Sequence, residues 1–526
     1  MRNFEAPNRS MAVAKNGMAA TSSALATLAA VNILQAGGNA IDAAIAACAV
    51  QGVVEPGSTG IGGDCFALIS KGGSNDVIAF NGSGWAPKAA TAEKLHELGV
   101  TSLERQSPHS VTVPGSVNAW ATLARDHGTM DLAQLLAPAI AFAEDGFAVA
   151  PRAALDWSDE TPLLSKTAPA AAAYLNNGKP PKEGDLHRLP ELAKTLRAIA
   201  SNGADEFYKG ATAKGMVDYL ASLGGLHTYE DFAEYQGAYE TPIRTSFRGM
   251  EVVECPPNGQ GLVALIMLRL LERAPKSKAH FSADRLQIEI EAAKRAYWVR
   301  ENLICDPRQG TVNVDEYLSD KFLDELDERF KKDPIAGRSE GAPHKDTVYI
   351  SAVDKDRNCV SFINSIFHRF GSGLVAPGGV LLQNRGQGFS LTPGHANIIA
   401  PRKRPMHTII PGMLMNNGRA QMSFGVMGGH YQAFGHAHLV SKMVDYGLDS
   451  QTAIELPRVF PVPGTNNVEV ESTVPQNIRD ELTKRGYNLV PPEMPIGGAQ
   501  AIWVDWERGV LLGGSDPRKD GCALGY

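Results

Sequence analysis

The sequence predicts an α+β protein, with helices concentrated in the first two thirds and strands in the remainder. Three observations carry this. Ala-rich stretches with helical spacing fill residues 21–50, and apolar residues recur at three- and four-residue intervals through 130–330. At Thr347 the pattern switches abruptly to β-prone runs. Taken in order, residues 21–34 form a helix closed by Gly37-Gly38, and 41–50 form a second, with Asn39 or Asp42 near its start. The glycine-dense run 57–64 (GSTGIGGD) lacks the lysine of a P-loop and is not GxGxxG. Its glycines predict close approach of backbone to something buried rather than a phosphate cradle. Strands follow at 65–70 and 77–80, then helices at 132–145, 189–202 and 282–302. Residues 331–346 (KKDPIAGRSEGAPHKD) read as a flexible surface segment. The β-prone runs 347–353 and 359–367, separated by five polar residues, predict a hairpin.

Composition narrows the function classes. The 526 residues carry a formal charge of −7 and a pI near 6.0, so no domain-wide basic field exists to neutralise phosphates, and nucleic acid is excluded as a general partner. The short basic run Arg402-Lys403-Arg404 reads as a solvated loop. No stretch of about 18 uninterrupted apolar residues predicts a membrane span. The N-terminus has an early acid and proline with no apolar run behind them, so the expected location is the cytoplasm. Six scattered cysteines without a CxxC pair suit reduced thiols. Thirteen histidines contain no HExxH, and His436 and His438 diverge on a helix, so neither a metal nor any other cofactor is expected. No strand–GxGxxG–helix unit supports a nicotinamide enzyme.

The hairpin carries the chemistry. If it is symmetric about Asp356, Ser365 lies opposite Thr347 at cross-strand distance, and a one-residue slip would undo the pairing. A polar linker running straight into a strand that begins with Thr suggests a cut before Thr347. That would give the residue a free α-amine beside its hydroxyl, and an adjacent amine can serve as base for a weak nucleophile. The alternative is a plain surface strand after a loop.

Residues 346–358 (DTVYISAVDKDRN) resemble the start of the small subunit in the γ-glutamyltranspeptidase family of N-terminal nucleophile hydrolases. The resemblance runs almost the whole length, through 35–44 (QAGGNAIDAA), 113–117 (VPGSV), 207–210 (FYKG), 370–373 (FGSG), 403–408 (KRPMHT), 426–430 (VMGGH) and 515–518 (SDPR), in family order. It implies a four-layer αββα sandwich made as one precursor. The precursor would cut itself between Asp346 and Thr347 into a large subunit, 1–346, and a small subunit, 347–526, that stay together as one domain. A heterotetramer of two processed precursors is a possible assembly. By position, Thr347 is the nucleophile and Ser365 stands where the family has a Thr bonded to it. Gly428 and Gly429 match the pair whose N–H groups form the oxyanion hole.

The sequence also departs from the family. The Arg that holds the substrate α-carboxylate is missing from 81–87 (NGSGWAP), and the Asp for the α-amine aligns with Gly388. The family's Gln three residues earlier aligns with Arg385, and its Ser-Ser pair with His407-Thr408. The segment 390–401 is shorter than the family's lid. A site that lost an ammonium's anion partner binds that ammonium poorly. The expected function is therefore a self-processing amidohydrolase of the divergent branch that includes acylases and oxamate amidohydrolase. It would cleave a small anionic amide through an acyl-Thr347 intermediate. Arg385 is the candidate anchor for a substrate carboxylate, with Thr408, His407, His430 and Trp85 as candidate pocket residues. The alternatives are a γ-glutamyl hydrolase or transferase, a cephalosporin-type acylase, and a non-catalytic binding protein.

Overall fold

The structure is a computed structural model that describes residues 8–334 and 347–526. In the strand Val348–Val353, side chains alternate between two cores, as strand geometry demands. Val348, Ile350 and Ala352 face one core, and Tyr349 and Val353 face another. The neighbouring strand Cys359–Ser365 alternates the same way, with Val360 and Phe362 on the first side and Cys359 and Ile363 on the second. These strands belong to an antiparallel sheet of seven. Its order is Ala523–Gly525, Met18–Ala20, Val348–Val353, Cys359–Ser365, Asp64–Ser70, Val77–Gly82 and Ala238–Glu240.

A second antiparallel sheet of seven lies across the inner core. It runs Ala12–Ala14, Val510–Ser515, Gly498–Asp505, Arg419–Met427, Gly412–Asn416, Met250–Glu254 and Ile243–Phe247. Met413, Met427, Ile502 and Leu511 from this sheet meet Phe66, Leu68 and Tyr349 from the first. Outside the first sheet pack the Ala-rich helices Ala24–Gln35 and Ala40–Val54 with Leu132–Asp145. Outside the second pack Gly261–Arg273, Ala283–Leu303 and Tyr431–Tyr446. The order of layers is αββα, as the resemblance implies. Both sheets interleave strands from before residue 335 with strands from after 346, so ladder bonds bind the two parts of the chain into one body.

Local expectations fare well where short-range chemistry decides. Asn39 caps Ala40–Val54 through a reciprocal box with Asp42. A Cβ on Gly62 would lie 2.1 Å from Leu381 O, and one on Gly63 2.3 Å from Ser365 O, which is the close approach that the run 57–64 predicts. Two expectations fail. Lys331 and Lys332 finish the helix Asp320–Lys332 rather than open a loop, and residues 335–346, Asp346 included, lie outside the described residues. Lys403 and Arg404 are not solvated but buried: Lys403 Nζ donates to Ala396 O, and Arg404 pairs with Glu240. No helix among the described residues is long and apolar enough to cross a membrane.

Candidate active site

Val348 pairs with Asn364 across the hairpin, so Thr347 falls opposite Ser365 in the predicted register. Thr347 Oγ1 donates to Ser365 Oγ at 3.2 Å. Ser365 Oγ also accepts from the Phe367 N–H at 2.9 Å and from Arg385 Nη2 at 3.1 Å. The strand stops at Ser365 because Phe367 turns to φ 80°, a left-handed conformation that a bulky residue seldom adopts. That turn puts the Phe367 ring under Arg385, whose Cζ lies 4.1 Å from the ring centroid.

Arg385 is fully buried. Nη1 donates to Thr408 Oγ1 at 2.7 Å and Nη2 to Ser365, while Nε has no hydrogen-bond partner. No carboxylate among the described residues lies within ion-pair distance of it. Burial pushes the guanidinium down to about 9, with Asp64 pulling the other way, so it remains a cation at neutral pH. His407 lies nearby in the fold. Its Nδ1 accepts the Ile409 N–H at 3.3 Å, which leaves the proton on Nε2 for Asp64 Oδ2 at 2.9 Å. Burial, then the Arg385 charge, pushes His407 down to about 3 against the pull of Asp64, so the ring is neutral. The Asp64 carboxylate also accepts from Gly115 N–H at 3.1 Å and Gln383 Nε2 at 2.8 Å.

Gly428 and Gly429 follow the strand Arg419–Met427 and precede the helix Tyr431–Tyr446. Both have positive φ, 116° and 58°, and a Cβ on Gly428 would sit 2.8 Å from Gly497 Cα. The Gly428 carbonyl accepts the Tyr431 N–H at 3.1 Å, so across a trans peptide the Gly429 N–H points away from the helix body. The Gly429 carbonyl is held by Gln260 Nε2 at 2.8 Å, and the same nitrogen reaches Thr408 O at 2.6 Å. Arg300 Nη1 donates to Gln260 Oε1 at 3.1 Å and to His430 Nδ1 at 2.8 Å. Gln432, the second residue of that helix, donates through Nε2 to Thr347 Oγ1 at 3.4 Å.

The structure thus gathers Thr347, Ser365, Arg385 and Thr408 in one hydrogen-bonded chain, with His407 beside it. Gln260 and Arg300 link Gly429 and His430 to Thr408. Trp85 goes elsewhere. Its indole N–H donates to Asp231 O at 3.1 Å, and it packs edge-on against Tyr235. The segment 81–87 is tied down by Asn258, whose Nδ2 donates to Ser83 Oγ at 3.0 Å and to Pro405 O at 2.6 Å. Asp64, Gln260, Gln432 and Asn258 were not singled out from the sequence. Asp64 closes the glycine-dense loop, which is the one local signal among them. His436 and His438 diverge as expected, to Glu254 and Glu289. Among the described residues no group of three His, Cys, Asp or Glu is placed to hold a metal ion.

The Gamma-glutamyltranspeptidase family model matches residues 26–526. The chain belongs to the γ-glutamyltranspeptidase family. That makes it an N-terminal nucleophile amidohydrolase, for which the family sets the expectation of a threonine nucleophile. Its fold superimposes on the cephalosporin acylase of Bacillus halodurans with a TM-score of 0.92 and 39% identity, covering 100% of this chain and 99% of that one. It is 35% identical to the glutathione hydrolase-like YwrD proenzyme of Bacillus subtilis (strain 168), over 95% of this chain and 97% of that protein. It is 34% identical to the oxamate amidohydrolase proenzyme of Klebsiella pneumoniae, over 98% and 99% respectively.

Proposed function

We propose that this γ-glutamyltranspeptidase-family protein is a self-processing amidohydrolase for a small anionic amide of the oxamate type. The observation that carries the reading is Arg385. It is a fully buried cation, one hydroxyl removed from Thr347, with neutral partners and an unpartnered Nε. A buried charge is ordinarily matched by an opposite one, and a substrate carboxylate would supply it. The 34% identity to an oxamate amidohydrolase supports the same substrate class.

In this scheme the chain is cut between Asp346 and Thr347. Thr347 Oγ then attacks the amide carbonyl as its own α-amine takes the proton. The N–H groups of Gly428 and Gly429 hold the oxyanion. The C–N bond breaks, and ammonia or an amine leaves with that proton. Water attacks the acyl ester, the C–Oγ bond breaks, and the acid departs as Oγ regains a proton. Thr347 is 1% exposed in the intact chain, which fits a nucleophile closed off until cutting.

Cutting would give fragments of about 37 and about 19 kDa from the 56.2 kDa chain. Thr347→Ala should remain one inactive band; an active uncut protein would sink the scheme. The likeness to a cephalosporin acylase favours a second reading, a larger acyl substrate. Oxamate, glutathione and a cephalosporin-type amide, assayed side by side on processed protein, separate the readings. The highest kcat/KM should fall on oxamate.

A further inference from the structure

We propose that Gln432 is a catalytic residue, an N–H donor to Thr347 Oγ1 whose bond strengthens as that oxygen gains charge. The inference rests on Thr347 being the nucleophile. Gln432 is fully buried at the start of the helix Tyr431–Tyr446, and its backbone N–H donates to Gly429 O at 3.3 Å. Its carboxamide can be oriented from chemistry alone. The buried Ile410 N–H lies 3.0 Å from the end that must therefore be Oε1, because only an acceptor satisfies it. The other end is then the NH2 group, 3.4 Å from Thr347 Oγ1.

Thr347 Oγ1 is thereby held from two sides, donating to Ser365 and accepting from Gln432. The Gln432 contact is long at rest, as catalytic contacts commonly are before the reacting group acquires charge. Charge appears on Oγ twice. In acylation its proton leaves for the α-amine while the Oγ–carbon bond forms. In deacylation the Oγ–carbon bond breaks as water adds, and Oγ carries the electron pair until the proton returns. A fixed neutral donor lowers both barriers without giving up its own proton. Self-cutting uses the same oxygen and gains in the same way.

Two variants separate the donor from its anchor. Gln432→Glu keeps an oxygen for the Ile410 N–H but presents an acceptor to Thr347. Gln432→Met fills similar space and offers neither group. With oxamate as substrate, both should lose about 10²-fold in kcat, the range for a single preorganised donor, with KM little changed. A Gln432→Glu enzyme within about 2-fold of the parent in kcat overturns the proposal. So does a loss confined to one of the two variants. If a variant stays uncut, the comparison is read on the cutting rate of folded precursor, with melting temperature checked against Thr347→Ala. Activity surviving in Thr347→Ala would defeat the nucleophile assignment itself. An inactive Thr347→Ala beside an unimpaired Gln432→Glu would defeat only the role of Gln432.

Discussion

Replacing Arg385 by Met should move stability and activity in opposite directions. The guanidinium is fully buried, and its fall from 12.5 to about 9 corresponds to roughly 5 kcal/mol against the charged form. The bonds to Ser365 and Thr408 return about 1.5 kcal/mol each and the Phe367 ring about 2 kcal/mol, so Arg385 gives no net stability in the empty site. Met fills a similar volume, and its thioether can lie on the Phe367 ring that now carries the cation. The substitution should therefore raise the melting temperature. The comparison is best made in Thr347→Ala precursor, so that both proteins are single uncut chains. Activity should move the other way. A carboxylate that loses a buried cation forfeits about 3 kcal/mol, so kcat/KM for oxamate should fall roughly 150-fold. A neutral amide of similar size should lose under about 10-fold, through Ser365 alone. A melting temperature several degrees lower would mean that Arg385 is a structural pillar. Equal losses on the two amides would remove it from substrate recognition.

The family's ammonium anchor should not be restorable by a single change. A Cβ on Gly388 would meet Met406 O at 2.9 Å, so Gly388→Asp should leave glutathione turnover within about 3-fold and lower the melting temperature; a gain of tenfold or more refutes this. Acid should destabilise the protein from pH 6.5 downward. Burial pushes His227 and His438 down to about 4 and His407 to about 3, so the unfolded chain takes up protons that the folded one refuses. The stability of these neutral rings is complete above pH 6.5 and drains as pH falls through about 4, by roughly 2 kcal/mol per ring between pH 6.5 and 5. His227→Gln keeps a donor for Val111 O, so its melting temperature should drop less than the parent's between pH 7 and pH 5; identical drops would remove His227 from the account.

Local rules made the hairpin legible. Two β-prone runs around five polar residues leave one symmetric register, and that register sets Ser365 against Thr347. The glycines at 62 and 63 announced a close approach because no other residue survives a carbonyl at such a distance. The rest of the site depends on partners remote in sequence. His407 meets Asp64 across 343 positions, and Gln260 meets Gly429 across 169. A glutamine has neither charge nor apolar periodicity to mark it, so Gln260 and Gln432 gave no signal. Lys403 and Arg404 gave a misleading one: charge implies solvent until distant acceptors such as Glu240 and Ala396 O arrive by folding.

The same contrast explains how a familiar frame could carry the recognition proposed for it. Thr347 and Ser365 stand on the central pair of a seven-stranded sheet, where a one-residue slip would turn every side chain to the wrong core. The departures that the sequence resemblance implies stand just beyond the strand Val77–Gly82, in the turn Arg385–Gly388, and on the segment that holds His407 and Thr408. Connecting segments tolerate exchange because fewer ladder bonds and core contacts depend on them. In the proposed reading, a site without the family's Arg and Asp but with Arg385 welcomes a different substrate charge. Thr347, its hydroxyl partner Ser365 and the glycine pair beyond Met427 keep their backbone setting. A change of substrate on this scaffold therefore needs a few side chains at strand ends and no change of register.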